Sequence, residues 1–240
     1  MQAWLQPETS HETRALGGHP AYPPDSIEAA FEAFIDAASF PCLGAKASRS
    51  RGQQLLVRGD SFVCATDDLA IARHLQALAE PLEGPSFISV AVLFPNSPAL
   101  DEATFERTLW ERLASIHAID RGRYGWDTRV SDDPASPSFS MSVGGKAFYV
   151  VGLHPGSSRP ARRFRCPVLV FNLHSQFEQL RADGRYDKLR EAILQRDLAY
   201  AGSPNPMLAV HGRSSEARQY SGREVDTDWV CPFSPRDQGA

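Results

Sequence analysis

An α+β fold, a single domain with helices packed on a mixed, largely antiparallel sheet, is what the sequence predicts, and three observations carry that reading. Apolar residues recur at three-to-four spacing in some stretches and alternate in others, so helices and strands interleave. Two alternating runs flank Gly144-Gly145, the composition of a hairpin turn. No internal repeat and no linker-like stretch interrupts residues 25–233, which are read as one domain between an extended leader at 1–24 and a flexible tail at 234–240.

Asp25-Ser26 offers a cap to a first helix in which Ile27, Phe31, Phe34, Ile35 and Ala38 form one stripe, ended by Pro41. The spacing predicts a second helix from an Asp67-Asp68 cap through Leu69, Ala72, Leu75 and Leu78. A third follows Asp101, with Phe105, Leu109, Leu113 and Ile116 on one face. Strands are expected at 54–57 and 87–94, each bounded by Gly, Pro or Asn turn residues. Phe139, Met141 and Val143 alternate before the Gly-Gly turn, and Ala147 to Leu153 forms the returning limb. A further strand, Val168 to Leu173, leads into one long helix expected over about 175–198. The rest, 202–233, is turn-rich and closes in an apolar latch, Trp229 to Phe233.

Composition excludes several classes. A chain of 240 residues with 42% hydrophobic and 22% charged residues can bury a core without staples, and is neither disordered nor coiled coil. A net charge of −4 supplies no global field for nucleic acid. The longest apolar run, Ser86 to Phe94, is far short of the roughly 20 residues a membrane helix needs, and the first residues lack a secretory pattern. A cytoplasmic protein with no nucleic-acid or membrane partner is therefore expected. Cys42, Cys64, Cys166 and Cys231 form no CxxC pair, so reduced thiols are expected.

The chemistry concentrates where strands end. After Leu153 comes His154, then Arg159, Arg162, Arg163 and Arg165, a fork-rich loop suited to carboxylate or phosphate. His174 stands where the next strand becomes helix. If the two strands are neighbours, both imidazoles can face one cavity lined by Phe164, Phe171 and Phe177. Greasy walls, an imidazole and nearby cations for the propionates are what haem binding requires. His11, His19 and His74 are read as ordinary hydrogen-bonded residues. Glu216 can accept a cationic head, and Tyr220 or Ser221 can donate to bound oxygen, although each residue equally suits a turn. Cys42, between a helix end and Lys46, is open to reading as a nucleophile, an iron thiolate or plain packing.

Taken together, PCLGAKA (41–47), FERTLWERLASIHAID (105–120), GLHPGSSRPARRF (152–164), FNLHSQFEQLR (171–181), GSPNPML (202–208), SEARQYSGR (215–223) and WVCPF (229–233) resemble the YqcI/YcgG family. That family includes haem-dependent N-hydroxylases acting on guanidino groups, in arginine and in guanitoxin-type natural-product biosynthesis. The resemblance implies a haem b cofactor and the transfer of one oxygen atom from dioxygen to a guanidine nitrogen of arginine or a derived small molecule. It makes His154 the favoured iron ligand, His174 the alternative and Cys42 the chemical rival. It assigns Arg159, Arg162 and Arg163 to the propionates, and Glu178 and Glu216 to the guanidinium. With no flavin or nicotinamide fingerprint in the chain, electrons are expected from an external reductase, a ferredoxin or a peroxide shunt. A homodimer is compatible with this reading. A haem-binding sensor or carrier without turnover, and a haem-free hydrolase or anion-binding module, are the competing classes.

Overall fold

A computed structural model describes residues 22–78, 87–207 and 213–235. The expected leader and tail, with His11 and His19, fall almost wholly outside the described residues. Helices α1 (Ile27–Asp36), α2 (Leu43–Ser50), α3 (Asp68–Ala77), α4 (Glu102–Asp120), α5 (Ser175–Ala182), α6 (Tyr186–Ala201) and α7 (Ala217–Tyr220) accompany strands β1 (Gln54–Arg58), β2 (Ser89–Leu93), β3 (Met141–Val143), β4 (Lys146–Leu153) and β5 (Val168–Leu173). The strands form one mixed sheet in the order β1-β2-β5-β4-β3, parallel between β1 and β2 and antiparallel elsewhere, as an α+β domain requires. Among the described residues no helix is long and apolar enough to cross a membrane.

Local chemistry explains most boundaries. Ser26 caps α1 by accepting the Ala29 N–H at 3.1 Å, and Asp101 caps α4 through the Thr104 N–H at 2.7 Å. The expected Asp67-Asp68 cap does not form. Asp67 accepts the Asp60 N–H instead, while Asp68 is buried against Arg112 at 2.7 Å. The hairpin turn runs through Gly144 (φ 62°) and Gly145 (φ 70°), left-handed conformations that glycine adopts without a Cβ clash. The long helix expected after β5 is two helices. Gly184 adopts φ 66° and the chain reverses through Gly184 N–H to Arg181 O (3.0 Å) and Arg185 N–H to Leu180 O (2.9 Å), a C-terminal capping turn. Helix α2 escapes sequence reading because its cap is a sulfur: Cys42 Sγ accepts the Ala45 N–H at 3.4 Å.

The sheet divides the molecule. One face carries Val90, Val92, Phe148, Val150, Leu169 and Phe171 into a core with α3 and α4. The other carries Ala91, Leu93, Val151, Leu153, Val168 and Val170 toward α1 and α2. Of the expected latch, Phe233 is buried against Trp110, Trp126 and Phe139, whereas Val230 is exposed.

Candidate functional site

On the α1/α2 face the sheet and its helices enclose a cavity of about 290 Å³, at the low end of the roughly 300–1,000 Å³ of small-molecule sites. Strand alternation builds its floor: Tyr149, Val151 and Leu153 from β4, Val170 and Asn172 from β5, and Gln54 from β1. Phe31 and Ile35 of α1, with Cys42 and Ala45 at the start of α2, form one wall. Leu189, Ile193 and Asp197 of α6 line it from another helix. Two tethers hold α6 to its surroundings: Arg159 pairs with Asp197, and Arg196 Nη2 donates to Ala38 O (2.7 Å) and Phe40 O (2.9 Å). His174, Gln176, Phe177 and Arg181 close the end beyond β5.

The same alternation separates the two histidines. Val150 and Gly152 face α4, and His154 continues that parity, stacking on Phe105 with ring centroids 4.2 Å apart. Val170 and Asn172 face the cavity, and His174 follows them. The strands are neighbours as supposed, with Gly152 opposite Leu169, yet the two imidazoles lie on opposite faces of the sheet. A one-residue difference in parity sends a side chain to the other side. Burial holds His154 below the usual histidine range, which favours the neutral ring.

The remaining candidates divide in the same way. Arg159, Arg162, Phe177, Glu216 and Cys42 line the cavity. Phe171 belongs to the opposite face, edge-on to Phe148. Arg163 is exposed and braces its own loop through Ser157 O (2.9 Å) and Ser158 O (3.2 Å). Glu178 stands outside the cavity lining, with Oε1 3.7 Å from His174 Nδ1 and Oε2 3.9 Å from Arg129. Tyr220 is fully buried behind Glu216, and Ser221 donates to Glu106 away from the cavity.

Charge in the cavity is unbalanced. Four arginines, Arg159, Arg162, Arg181 and Arg190, line it against two acids, Asp197 and Glu216. Asp197 is spent on Arg159. The Arg162 guanidinium donates to backbone carbonyls, Gly152 O (2.9 Å), Tyr220 O (3.2 Å) and Gln219 O (3.0 Å), and among the described residues no carboxylate is in hydrogen-bond contact with it. Burial lowers its pKa, against the opposing influence of Tyr149, Cys42 and Asp197. Such a cavity suits an anionic group near Arg162.

Glu216 is the opposite feature. Ser140 Oγ and Tyr220 Oη both donate to its Oε1 at 2.6 Å, and among the described residues Oε2 has no donor. Burial pushes this carboxyl up to about 7 despite the two hydrogen bonds. The Cys42 thiol is also raised by burial, against the Ala45 and Gly44 amides and the Arg162 charge, which favour the thiolate.

Gln54, Tyr149, Asn172, Gln176 and Arg181 were not singled out by sequence reasoning. The one available signal was parity: Asn172 is the polar residue in an apolar strand, and it shares its face with His174.

The model of the YqcI/YcgG family matches residues 31–234. No curated protein and no solved structure matches the chain.

Proposed function

Because the chain belongs to the YqcI/YcgG family, and because a mainly apolar cavity against its sheet is walled by an imidazole, a thiol, guanidinium groups and a buried carboxyl, we propose that it is a haem-dependent, oxygen-using N-hydroxylase of a guanidino compound. The observation that carries this reading is the pairing of Arg162, a half-buried cation with no carboxylate in hydrogen-bond contact among the described residues, with Glu216, a buried carboxyl whose Oε2 meets no donor among them.

The residues suit haem in kind. Phe31, Ile35, Val151 and Val170 offer apolar walls, and Arg162 offers its charge to a propionate. Arg159 is already neutralised by Asp197 and contributes less. In this reading the iron would be held by a cavity-lining side chain, His174 or Cys42, rather than by His154 on the far face. Glu178 beside His174 Nδ1 is the carboxylate that commonly orients a metal-binding imidazole. When bound, haem supplies dioxygen activation, with electrons from an external reductase or ferredoxin. The chain's own residues do the rest. Ser140 and Tyr220 pin Oε1 of Glu216, so that Oε2 receives an N–H of the guanidino group and orients it by a charge-assisted hydrogen bond. Leu189 and Ile193 of α6 keep water from the cavity.

Haem titration followed by aerobic reduction with arginine and related guanidines tests the proposal, with a product one oxygen heavier as the expected result. The ferrous carbon-monoxide spectra of His174→Ala and Cys42→Ser then identify the ligand, since a thiolate shifts the Soret band strongly to the red. A protein that takes up no haem, or a haem-loaded protein that oxygenates no guanidine, would refute it.

A further inference from the structure

Four easily oxidised side chains run in contact from the cavity floor to a second opening. Tyr149 lines the cavity, and its ring meets Tyr220 edge-on with centroids 5.8 Å apart. Tyr220 stacks on Trp110 of α4 at 5.5 Å, and Trp110 lies 6.4 Å from Trp229. Tyr220 and Trp110 are deeply buried, whereas Trp229 is half-buried beneath the Arg218 guanidinium, 5.7 Å above its ring. Trp229 lines a second, more open cavity of about 890 Å³.

Hydrophobic packing accounts for rings that touch, but not for their polar ends. Tyr220 Oη donates at 2.6 Å to Glu216 Oε1, so a buried phenol has a carboxylate ready to take its proton. Burial lifts that carboxyl to about 7, which lets it hold a proton that an ordinary carboxylate would release. The Trp110 ring N–H meets no acceptor among the described residues. A buried donor left unmade is uncommon and costs stability. Its chemical consequence is that an oxidised Trp110 keeps its proton and its positive charge, whereas oxidised Tyr220 sheds a proton and rests as a neutral radical. The Tyr149 hydroxyl donates to the neutral Gln219 amide at 3.0 Å, so this ring bridges to Tyr220 without a base of its own.

We propose that Tyr220, Trp110 and Trp229 form a one-electron path that returns unspent oxidising equivalents from the cavity to a small reductant at the Trp229 surface, a peroxidase activity beside the oxygenation chemistry. The inference rests on the haem reading above. Hydrogen peroxide reduced in the cavity breaks its O–O bond and takes two electrons and two protons to become two waters. Each electron leaves Tyr220 as its O–H proton passes to Glu216 Oε1. Trp110 then gives an electron to the Tyr220 radical, the proton returns from Glu216, and the hole sits on Trp110. Trp229 refills Trp110, and a donor of the ascorbate class refills Trp229. Two ascorbate anions supply the two electrons and two protons and leave as ascorbyl radicals.

Rapid-freeze electron paramagnetic resonance of haem-loaded protein, mixed with hydrogen peroxide and then chased with ascorbate, tests this in wild type, Tyr220→Phe, Trp110→Phe and Trp229→Phe. Wild type should show a tyrosyl radical that Tyr220→Phe lacks. In the two tryptophan variants the same radical should form and decay about tenfold or more slowly, because its refilling is interrupted. A radical absent from wild type, persisting in Tyr220→Phe, or decaying equally fast in both tryptophan variants would overturn the path. A second arm dispenses with haem: flash photo-oxidation of the haem-free protein by a soluble ruthenium polypyridyl places the hole on surface rings. That hole should collect on Tyr220 in wild type and fail to do so in Trp229→Phe, and the same result in both proteins would overturn the path. Protein that takes up no haem yet shows a Trp229-dependent Tyr220 radical counts against the hydroxylase reading alone. An oxygenated guanidine from protein that fails both radical tests counts against this inference alone.

Discussion

Glu216 is a carboxyl whose two jobs oppose each other. Burial favours its neutral form, and gripping a guanidinium needs its anion. Its folded pKa of about 7 lies above the ordinary 4.5, so the folded state holds this proton more tightly than the unfolded chain does. The stability it contributes is whole below 4.5 and is lost as pH rises through about 7. Thermal melts of wild type should accordingly lose on the order of 2–3 kcal/mol across that window relative to Glu216→Gln, which cannot ionise. Guanidine affinity should move the other way, rising through about pH 7 in wild type and staying flat in the variant. A pH-independent difference between the two proteins would contradict the burial of this carboxyl. At this scale the sequence was a partial guide. Glu216 and Arg162 could be picked out as charges in loops, but how each is partnered depended on contacts remote in the chain, Ser140 for Glu216 and the Gln219 and Tyr220 carbonyls for Arg162.

Strands and helices show the same divide between what is local and what is not. Strand β5 was legible to the residue, Val168 to Leu173, because an apolar run bounded by Pro167 and His174 has little other use. The face each histidine takes was also written in the period of two, yet reading it required knowing which parity faces α4. That is decided by Phe105 and Leu109, which press so closely on Gly152 that a Cβ there would lie 2.7 Å from Phe105. Helix α6 is a lining element whose buried position is Asp197 and whose inward residues, Leu189 and Ile193, face the cavity. Its hold depends on the tethers to Arg159 and to the α1–α2 link. Asp197→Ala, which leaves Arg159 without its counter-charge, should speed amide hydrogen exchange across 186–201 while protection of β4 and β5 is unchanged. Equal exchange in both proteins would mean that packing alone secures the helix.

At the scale of the whole molecule, one aromatic column ties the loop after β4 to the core on the α4 face. Phe105 stacks on His154 at 4.2 Å and on Phe62 at 4.9 Å, and Phe62 meets Phe94 at 5.3 Å. Phe105→Ala should cost about 3–5 kcal/mol, through lost burial and the cavity left between these rings. For a domain of this size that lowers the melting temperature by roughly 10 °C. A change of only a degree or two would show that α4 collapses onto the sheet to fill the gap.

By itself the sequence determined the α+β class, the five strands, the glycine turns, the family motifs and the arginine-rich loop, because period, turn chemistry and composition act over a few neighbouring residues. The tertiary structure alone decided that His174 and Cys42, and not His154, share a cavity with Arg162 and Glu216, and that two amide oxygens in its wall, those of Gln54 and Gln176, meet no donor among the described residues. Which side chains meet, and which are left without a partner once water is excluded, depends on how the sheet's two faces are covered. That is a property of contacts between residues far apart in the chain, and no local pattern carries it.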